Sequence, residues 1–208
     1  MTDNHFYREI YHPSPYVFAP RFDTERVVDH IIRLCPRGGR ILDLCCGSGC
    51  VGISSLCNTT GTTAVSADIN PHAVELTLRN AERNGVAERI SVYNADVFTT
   101  KWLEQPGGSF DIIASNPPYL RTADMADMPP ENHAEPTTAF DGGADGLDFY
   151  RMILDTYPPF LAPGGHFVFE IGYHQGNDLR KLCAERGMTC EIHKDYGGND
   201  RVAIGRFQ

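Results

Sequence analysis

No stretch of the sequence stays apolar over the roughly 18 residues that a membrane-spanning helix requires. Residues 1–15 are polar and lack the apolar segment of a secretory signal. We therefore expect a chain that neither spans a membrane nor carries a secretion signal. A length of 208 residues is typical of one domain.

Basic residues are scarce, with 18 Lys and Arg against 27 Asp and Glu, and the formal net charge is −9. A surface of that charge repels phosphate backbones unless basic side chains cluster. The one local group, formed by Arg33, Arg37 and Arg40, is sparse. Nucleic acid is therefore disfavoured as a partner.

The seven cysteines lack the even number and regular spacing of a disulfide framework. A reduced, cytoplasmic setting is the simplest interpretation. Cys45, Cys46 and Cys50 lie close together, but no Cys-x-x-Cys pair or His partner at zinc spacing accompanies them. Buried structural thiols are expected there, and no metal site is predicted.

Short apolar runs alternate with amphipathic stretches, which is typical of parallel strands covered by helices. Strands are predicted at 41–44, 64–68, 90–93, 110–115, 166–171, 189–194 and 201–205. Helices are predicted at 23–34, 51–56, 71–84, 147–157 and 178–186. Asn70 is expected to cap the third helix, and residues 163–165 to turn into the fifth strand. An α/β fold follows, in which the last two strands form an antiparallel hairpin.

A tight glycine turn follows the first predicted strand, in the segment from Asp43 to Gly49 that includes Cys45 and Gly47. Glycines lack Cβ atoms, so a ligand can approach the backbone closely. The N–H groups of such a turn and the positive end of the next helix favour an anionic or carboxylate-bearing ligand. Residues 47–52 also match the dinucleotide pattern G-x-G-x-x-G, which would suit a nicotinamide or flavin cofactor.

An acidic residue ends the second predicted strand, and another follows the third. Asp68, followed by Ile69, can accept bonds from both hydroxyls of a ribose. Asp96, followed by Val97, can accept a bond from an adenine amino group. Three successive strands with an Asp at or near their ends predict a ligand crevice at the carboxyl edge of the sheet.

The most specific segment is Asn116-Pro117-Pro118-Tyr119, directly after the fourth strand. Two prolines fix the backbone and remove two N–H donors, which leaves carbonyls free to face a pocket. The Asn116 oxygen and the Pro117 carbonyl can each accept one N–H of a planar –NH2 group, while Tyr119 packs against its plane. The segment therefore predicts an acceptor site for a planar nitrogen.

Taken together, these motifs resemble class I S-adenosylmethionine-dependent methyltransferases, and more narrowly the HemK/PrmC family of protein-glutamine N5-methyltransferases, which modify peptide chain release factors. Four further stretches carry the closer resemblance, which spans nearly the whole chain. They are residues 19–25, 135–136 with 141–147, 170–173 with 175–176, and 194–201.

The resemblance implies a Rossmann-like fold with a seven-stranded, mostly parallel sheet and helices on both faces. It also implies S-adenosylmethionine as cofactor, converted to S-adenosylhomocysteine, in place of a nicotinamide. The implied cofactor contacts are Asp43, Cys45, Gly47, Gly49, Asp68, Ile69, Asp96, Val97 and Asn116. The implied catalytic residues are Asn116, Pro117 and Tyr119, and the implied substrate contacts are those three with Pro118 and Glu135.

The chain departs from the family pattern at three places. Cys45 stands where the family usually has Gly, and Ala134 where an aromatic residue commonly precedes the Glu-Pro pair. Bacterial members carry a helical N-terminal domain, whereas here residues 1–208 are expected to be one catalytic domain with residues 1–22 as an arm or hairpin. Either the sequence is truncated or it is a free-standing relative with another substrate; Met1 favours a natural start.

Three functions stay open at this point. The first is a protein-glutamine methyltransferase acting on a release factor. The second is an N-methyltransferase for a small metabolite or nucleobase, and the third a non-catalytic cofactor-binding partner subunit. Glu135 is expected either to contact the acceptor or to organise the loop 120–145, whose segment 125–128 could form a lid. His133 and His174 are weaker candidates for catalysis.

Overall fold

The structure is a computed structural model that describes residues 2–104, 108–128 and 135–208. Within them, seven strands form one sheet, and two short strands form a separate hairpin, β1 (Asn4–Phe6) with β2 (Glu9–Tyr11). The sheet strands are β3 (Arg40–Leu44), β4 (Thr63–Asp68), β5 (Ile90–Asn94), β6 (Phe110–Ser115), β7 (Leu161–Glu170), β8 (Met188–Lys194) and β9 (Asp200–Phe207). Their order is β5-β4-β3-β6-β7-β9-β8. The strands β3 to β7 pair in parallel, and β9 is antiparallel to both β7 and β8.

Helices cover both faces of this sheet. They are α1 (Glu25–Leu34), α2 (Cys50–Cys57), α3 (Pro71–Arg83), α4 (Asp148–Thr156) and α5 (Gly176–Ala184). Neighbouring residues of one strand point to opposite faces, so Ile41 packs in the cluster with α1 and α2, whereas Leu42 packs in the cluster with α4 and α5. The predicted fold class is confirmed.

Local signals place α3 correctly. The Asn70 side chain accepts a hydrogen bond from the His72 N–H at 3.0 Å, and Pro71 occupies the first turn. Among the described residues, no helix has both the length and the apolar character needed to cross a bilayer.

The strand β7, which corresponds to the fifth predicted strand, starts earlier than predicted. It begins at Leu161 instead of His166, and the expected turn at residues 163–165 lies inside it as an irregularity. Phe110 pairs with Leu161 but Ile112 pairs with His166, so the extra residues bulge out of the ladder. Proline has no N–H to give, and Gly164 takes a φ of +78°, which together allow the bulge.

The strand order reverses between β3 and β6, which are neighbours in the sheet although β4 and β5 lie between them in sequence. Ser115 ties the two strand ends together, because its Oγ donates to the Leu44 carbonyl at 2.7 Å. Ligands of open α/β sheets bind at the carboxyl ends of strands where the order reverses. The fold therefore places the glycine turn and the Asn116–Tyr119 segment side by side.

The glycine turn is tightly packed around Gly49. Its φ is +78°, and an added Cβ would lie 2.6 Å from Thr77 Cγ2 and 2.8 Å from Ile53 Cδ1. At Gly187, with φ +69°, an added Cβ would meet nothing within 4 Å.

We expect Gly187→Ala to cost about 1 kcal/mol of unfolding free energy from backbone strain alone. Gly49→Ala should cost at least about 1 kcal/mol more, because of overpacking. Equal losses in urea denaturation would contradict the packing account.

Candidate active site

A cavity of about 460 Å³ opens at the carboxyl edge of the sheet, where the order reverses. Most of the predicted site residues line it. Those from the glycine turn and the acidic strand ends are Asp43, Cys45, Gly47, Asp68, Ile69, Asp96 and Val97. Those from the segment after β6 are Asn116, Pro117, Pro118 and Tyr119.

The glycine turn leaves room for a ligand at Gly47. This residue has a φ of +55°, and an added Cβ there would meet only Val17 Cγ1, at 3.9 Å. Cys45, where the family usually has Gly, also takes a left-handed φ of +59°, which glycine adopts without strain. Gly49 is outside the cavity lining, and the Thr77 and Ile53 side chains occupy the space that a Cβ would need there. Its contact with a cofactor stays a prediction.

The Asp68 carboxylate stands next to the turn. Its Oδ2 accepts the Gly47 N–H and its Oδ1 the Asn70 N–H, each at 2.9 Å. Burial raises the pKa of Asp68, although these backbone bonds act in the opposite direction. Each carboxylate oxygen can accept a second bond, so the group keeps acceptor capacity toward the cavity.

Asp43 lies deeper, at 1% exposure, and its Oδ2 accepts the Gly52 N–H of α2 at 3.1 Å. Burial raises the pKa of Asp43 to about 7. This carboxylate therefore holds the start of α2 against β3 from below the turn, and a direct contact with a ligand stays a prediction.

Asp96 follows β5, and its Oδ1 accepts the Phe98 N–H at 2.9 Å. Ile69 is 66% exposed and Phe98 49%, and both line the cavity. Large apolar side chains exposed beside a cavity are suited to covering a flat ring. The sequence analysis did not predict Phe98 as a site residue. The one local signal for it is its position two residues after Asp96.

The side-chain amide of Asn116 is held through its nitrogen. Its Nδ2 donates to Thr24 Oγ1 at 3.3 Å, and no group of the described residues donates to its Oδ1 or to the Pro117 carbonyl. As far as the described residues are concerned, both oxygens are open to a ligand. Tyr119 is held from its far end, since its Oη donates to Glu170 Oε1 at 3.3 Å.

Glu170 ends β7 and is only 2% exposed. Its Oε2 accepts the Thr24 hydroxyl at 2.6 Å. Burial raises its pKa to about 7, although the bond from Thr24 and the nearby Arg201 guanidinium oppose the shift. Neither Thr24 nor Glu170 was predicted as a site residue, although Glu170, like the aspartates, is a carboxylate at the end of a strand.

Glu135 does not line the cavity. Its Oε1 accepts the Ala19 N–H at 3.2 Å and its Oε2 the Arg21 guanidinium at 2.9 Å. The Arg21 guanidinium lies 4.8 Å from the Phe18 ring centroid. Glu135 therefore ties the N-terminal arm to the long loop, which favours the organising role over substrate contact.

The remaining candidates in this region are peripheral. His174 is exposed and packs against the neighbouring Tyr173 ring, and it does not line the cavity. His133 and Ala134 lie outside the described residues. Residues 125–127 form the second half of a 3-10 helix, Thr122–Asp127, and Met128 follows its end; the role of this segment as a lid stays a prediction.

Aromatic side chains missed in the sequence cover the cavity. Phe18, from the N-terminal arm, packs edge-to-face on Phe140, from the long loop, with ring centroids 5.5 Å apart. Tyr16 and Phe149 also line the cavity. These residues come from distant parts of the chain, so no local sequence pattern predicts that they meet at the cavity.

Comparison with known proteins gives a consistent result. The family described as "Methyltransferase small domain" matches residues 22–129. A release factor glutamine methyltransferase from Geobacter sulfurreducens is 38% identical over 198 residues, covering 93% of this chain and 67% of the relative. A ribosomal protein uL3 glutamine methyltransferase from Bradyrhizobium diazoefficiens is 42% identical over 142 residues, covering 67% of this chain and 42% of the relative.

A solved structure agrees with these relatives. It is a protein-(glutamine-N5) methyltransferase, release factor-specific, from Alicyclobacillus acidocaldarius, with 27% identity and a TM-score of 0.54. The match covers 91% of this chain and 94% of that one. The chain spans only part of the length of the two curated relatives described above, 67% of the first and 42% of the second.

The residues at the cavity fit S-adenosylmethionine. Gly47 leaves space at the turn, Asp68 and Asp96 keep acceptor capacity for hydroxyl and amino groups, and Ile69 and Phe98 offer apolar surface for a ring. The carboxylates also suit a ligand that carries a positive charge.

Asp68→Asn should weaken the affinity for S-adenosylhomocysteine roughly tenfold or more. The new –NH2 group would face a backbone N–H of Gly47 or Asn70, and one acceptor for ligand hydroxyls would be lost. Titration calorimetry measures the effect. Asp178→Asn, an exposed carboxylate on α5, is the matched control and should bind normally. Unchanged affinity in folded Asp68→Asn would remove Asp68 from the cofactor site.

Proposed function

The chain belongs to the family of the release factor glutamine methyltransferases, and we propose that it methylates the side-chain nitrogen of a glutamine in a peptide chain release factor. Membership confirms the predicted class of enzyme, an S-adenosylmethionine-dependent N-methyltransferase. It also decides the cofactor, so the nicotinamide interpretation of the glycine turn is set aside.

One observation carries the proposal for the acceptor. The Asn116 amide turns its nitrogen toward Thr24, so that its oxygen and the neighbouring Pro117 carbonyl have no protein donor among the described residues. A primary amide has two N–H groups in one plane, and two fixed acceptors match it. Pro117 is buried and its backbone is rigid, so the pair is preorganised.

Bound S-adenosylmethionine supplies a methyl group that its sulfonium charge already activates. The protein's task is therefore chiefly to hold the glutamine nitrogen in line with that group. Asn116 and Pro117 accept both N–H bonds and stabilise the positive charge that develops on nitrogen when the N–C bond forms and the C–S bond breaks. The proton leaves afterwards to solvent, so no strong base is needed.

Side chains around these acceptors limit the access of water. Tyr119 and the Phe18–Phe140 pair line the same cavity as these acceptors. In a drier site the hydrogen bonds to the acceptor amide gain strength. In this proposal residues 1–208 act as one catalytic domain, and the N-terminal arm contributes Tyr16, Phe18 and Arg21 to the lining of the cavity.

The names of the relatives support a protein-borne glutamine over a small metabolite or nucleobase. The release factor relatives match over 90% or more of this chain, and the uL3 relative over 67%. A glutamine in a ribosomal protein is therefore the second candidate acceptor, and the identity of 42% to the uL3 enzyme favours it.

Intact-mass analysis with purified substrates tests the acceptor. Incubation with S-adenosylmethionine should add one methyl group to a release factor, at a glutamine located by peptide fragmentation. Parallel reactions contain ribosomal protein uL3, nucleic acid and a metabolite extract. Methylation of uL3 alone would select the second candidate. Methylation confined to small molecules, or none at all, would overturn the proposal.

Asn116→Ala should lower kcat at least about a hundredfold, because the acceptor amide loses one of its two fixed partners in the transition state. Asn177→Ala, which removes an exposed amide on α5, is the matched control and should keep the wild-type rate. Unfolding in urea should show both variants folded. A wild-type rate in Asn116→Ala would mean that the amide does not hold the acceptor.

A further inference from the structure

A chain of hydrogen bonds runs from the buried end of β7 to the acceptor site. The Thr24 hydroxyl donates to Glu170 Oε2 at 2.6 Å and accepts from Asn116 Nδ2 at 3.3 Å. Tyr119 Oη donates to the other oxygen of Glu170 at 3.3 Å. Two residues of the acceptor site, Asn116 and Tyr119, thus converge on one carboxylate.

The direction of these bonds follows from the number of protons. A hydroxyl has one hydrogen, and the short distance to Glu170 indicates that Thr24 gives it to the carboxylate. The Thr24 oxygen can then only accept from Asn116. An amide that must donate to Thr24 presents its oxygen, and not its –NH2, on the opposite side.

Thr24 is free for this role because it does not cap α1. It is the residue before the helix, where a threonine hydroxyl usually bonds to a backbone N–H of the first turn. Here the side chain makes no such bond, and it is 1% exposed. Its one hydroxyl is directed to Glu170.

We propose that Thr24 and Glu170 are positioning residues that fix the Asn116 amide with its oxygen toward the acceptor nitrogen. The inference rests on the proposed function for the chemistry at Asn116. It adds that ionised Glu170 favours the orientation in which the amide oxygen faces the acceptor over the flipped one. With Glu170 protonated, the Thr24 hydrogen is released and can point to Asn116. The flipped amide would then present –NH2 to the N–H groups of the substrate.

Glu170 is placed to change its charge near neutral pH. Burial raises its pKa to about 7. The groups that face it are Thr24 and Asp23 before α1, Cys50 of α2, Tyr119 after β6, Tyr150 of α4 and Arg201 of β9. Arg201 is itself held by Asp23 at 3.4 Å and Asp195 at 3.3 Å. Among the described residues, Arg201 is the one cation that faces Glu170, and because it is shared with two aspartates it compensates the buried carboxylate only in part.

Thr24→Val removes the hydroxyl with little change in shape. We expect kcat for the protein acceptor to fall roughly tenfold, since the amide loses its orienting bond, while the affinity for S-adenosylhomocysteine stays within about twofold. Thr24→Ser restores the hydroxyl and should recover most of the loss. Thr63→Val, at the exposed start of β4, is the matched control and should change nothing. A wild-type kcat in folded Thr24→Val would overturn the inference, whereas loss in Asn116→Ala would leave the proposed function standing.

The pH profile separates orientation from simple packing. In the wild type, kcat/KM should fall as the pH drops through about 7, because protonation of Glu170 releases the amide. Asp43 has a raised pKa of similar value, so the test is a comparison. Glu170→Gln should have a lower plateau and lose the part of the inflection that belongs to Glu170. Identical profiles in the two proteins would contradict the role of Glu170.

A measurement without turnover covers the case in which the release factor is not the substrate. Nitrogen-15 NMR of the protein with S-adenosylhomocysteine observes the side-chain –NH2 of Asn116, identified by its disappearance in Asn116→Ala. Its resonances should titrate with a midpoint near pH 7 in the wild type and not in Glu170→Gln. Resonances that ignore pH, or titrate equally in both, would overturn the inference whatever the acceptor.

Discussion

The site depends on one constraint, the pairing of β3 with β6 at the centre of the sheet. These strands are joined in register from Ile41 with Ile112 to Leu44 with Ser115, and the Ser115 hydroxyl closes the ladder on the Leu44 carbonyl. The chain leaves both strands at the same edge, once into the glycine turn and once into the Asn116–Tyr119 segment. The distance between the cofactor turn and the acceptor residues is therefore set by buried backbone and not by a flexible loop.

The same edge collects hydrogen-bond acceptors. Asp43, Asp68 and Glu170 end or nearly end their strands, and burial raises the pKa of each. Backbone N–H groups or hydroxyls hold every one of them in place. Prolines add carbonyls without adding donors. A site rich in acceptors suits a sulfonium cation on one side and the N–H groups of an amide on the other.

Local patterns predicted the α/β class and the acidic and Asn116–Tyr119 parts of the cavity, whereas the seven-stranded, Rossmann-like sheet followed from the resemblance to the family. Period, caps and turn residues predicted the alternation of strands and helices, and Asn70 caps α3 as expected. The acidic strand ends predicted the crevice because parallel strands end at one edge. The bulge at residues 163–165 was missed because a Pro-Gly-Gly segment is typical of turns, and only the pairing with β6 shows that the strand continues.

Contacts between distant residues were beyond such patterns. Thr24 and Glu170 are 146 positions apart, and Glu135 lies 116 positions from Ala19. The residues around Thr24 do not indicate that Glu170 is its partner, and those around Glu135 do not indicate Ala19. The orientation of Asn116 and the contact between arm and loop are therefore visible only in the structure. Gly49 shows the same limit: its position in the turn predicts a cofactor contact, which stays a prediction, and only the structure shows that an added Cβ would lie 2.6 Å from Thr77 Cγ2.

The most direct measurement is a crystal structure of the protein with S-adenosylhomocysteine and a glutamine-containing release factor peptide. Our account predicts the sulfur beside the Gly47 turn, with the glutamine amide between it and the Asn116 oxygen. A thioether nucleoside bound elsewhere, or an Asn116 side chain with its nitrogen toward the peptide, would contradict it.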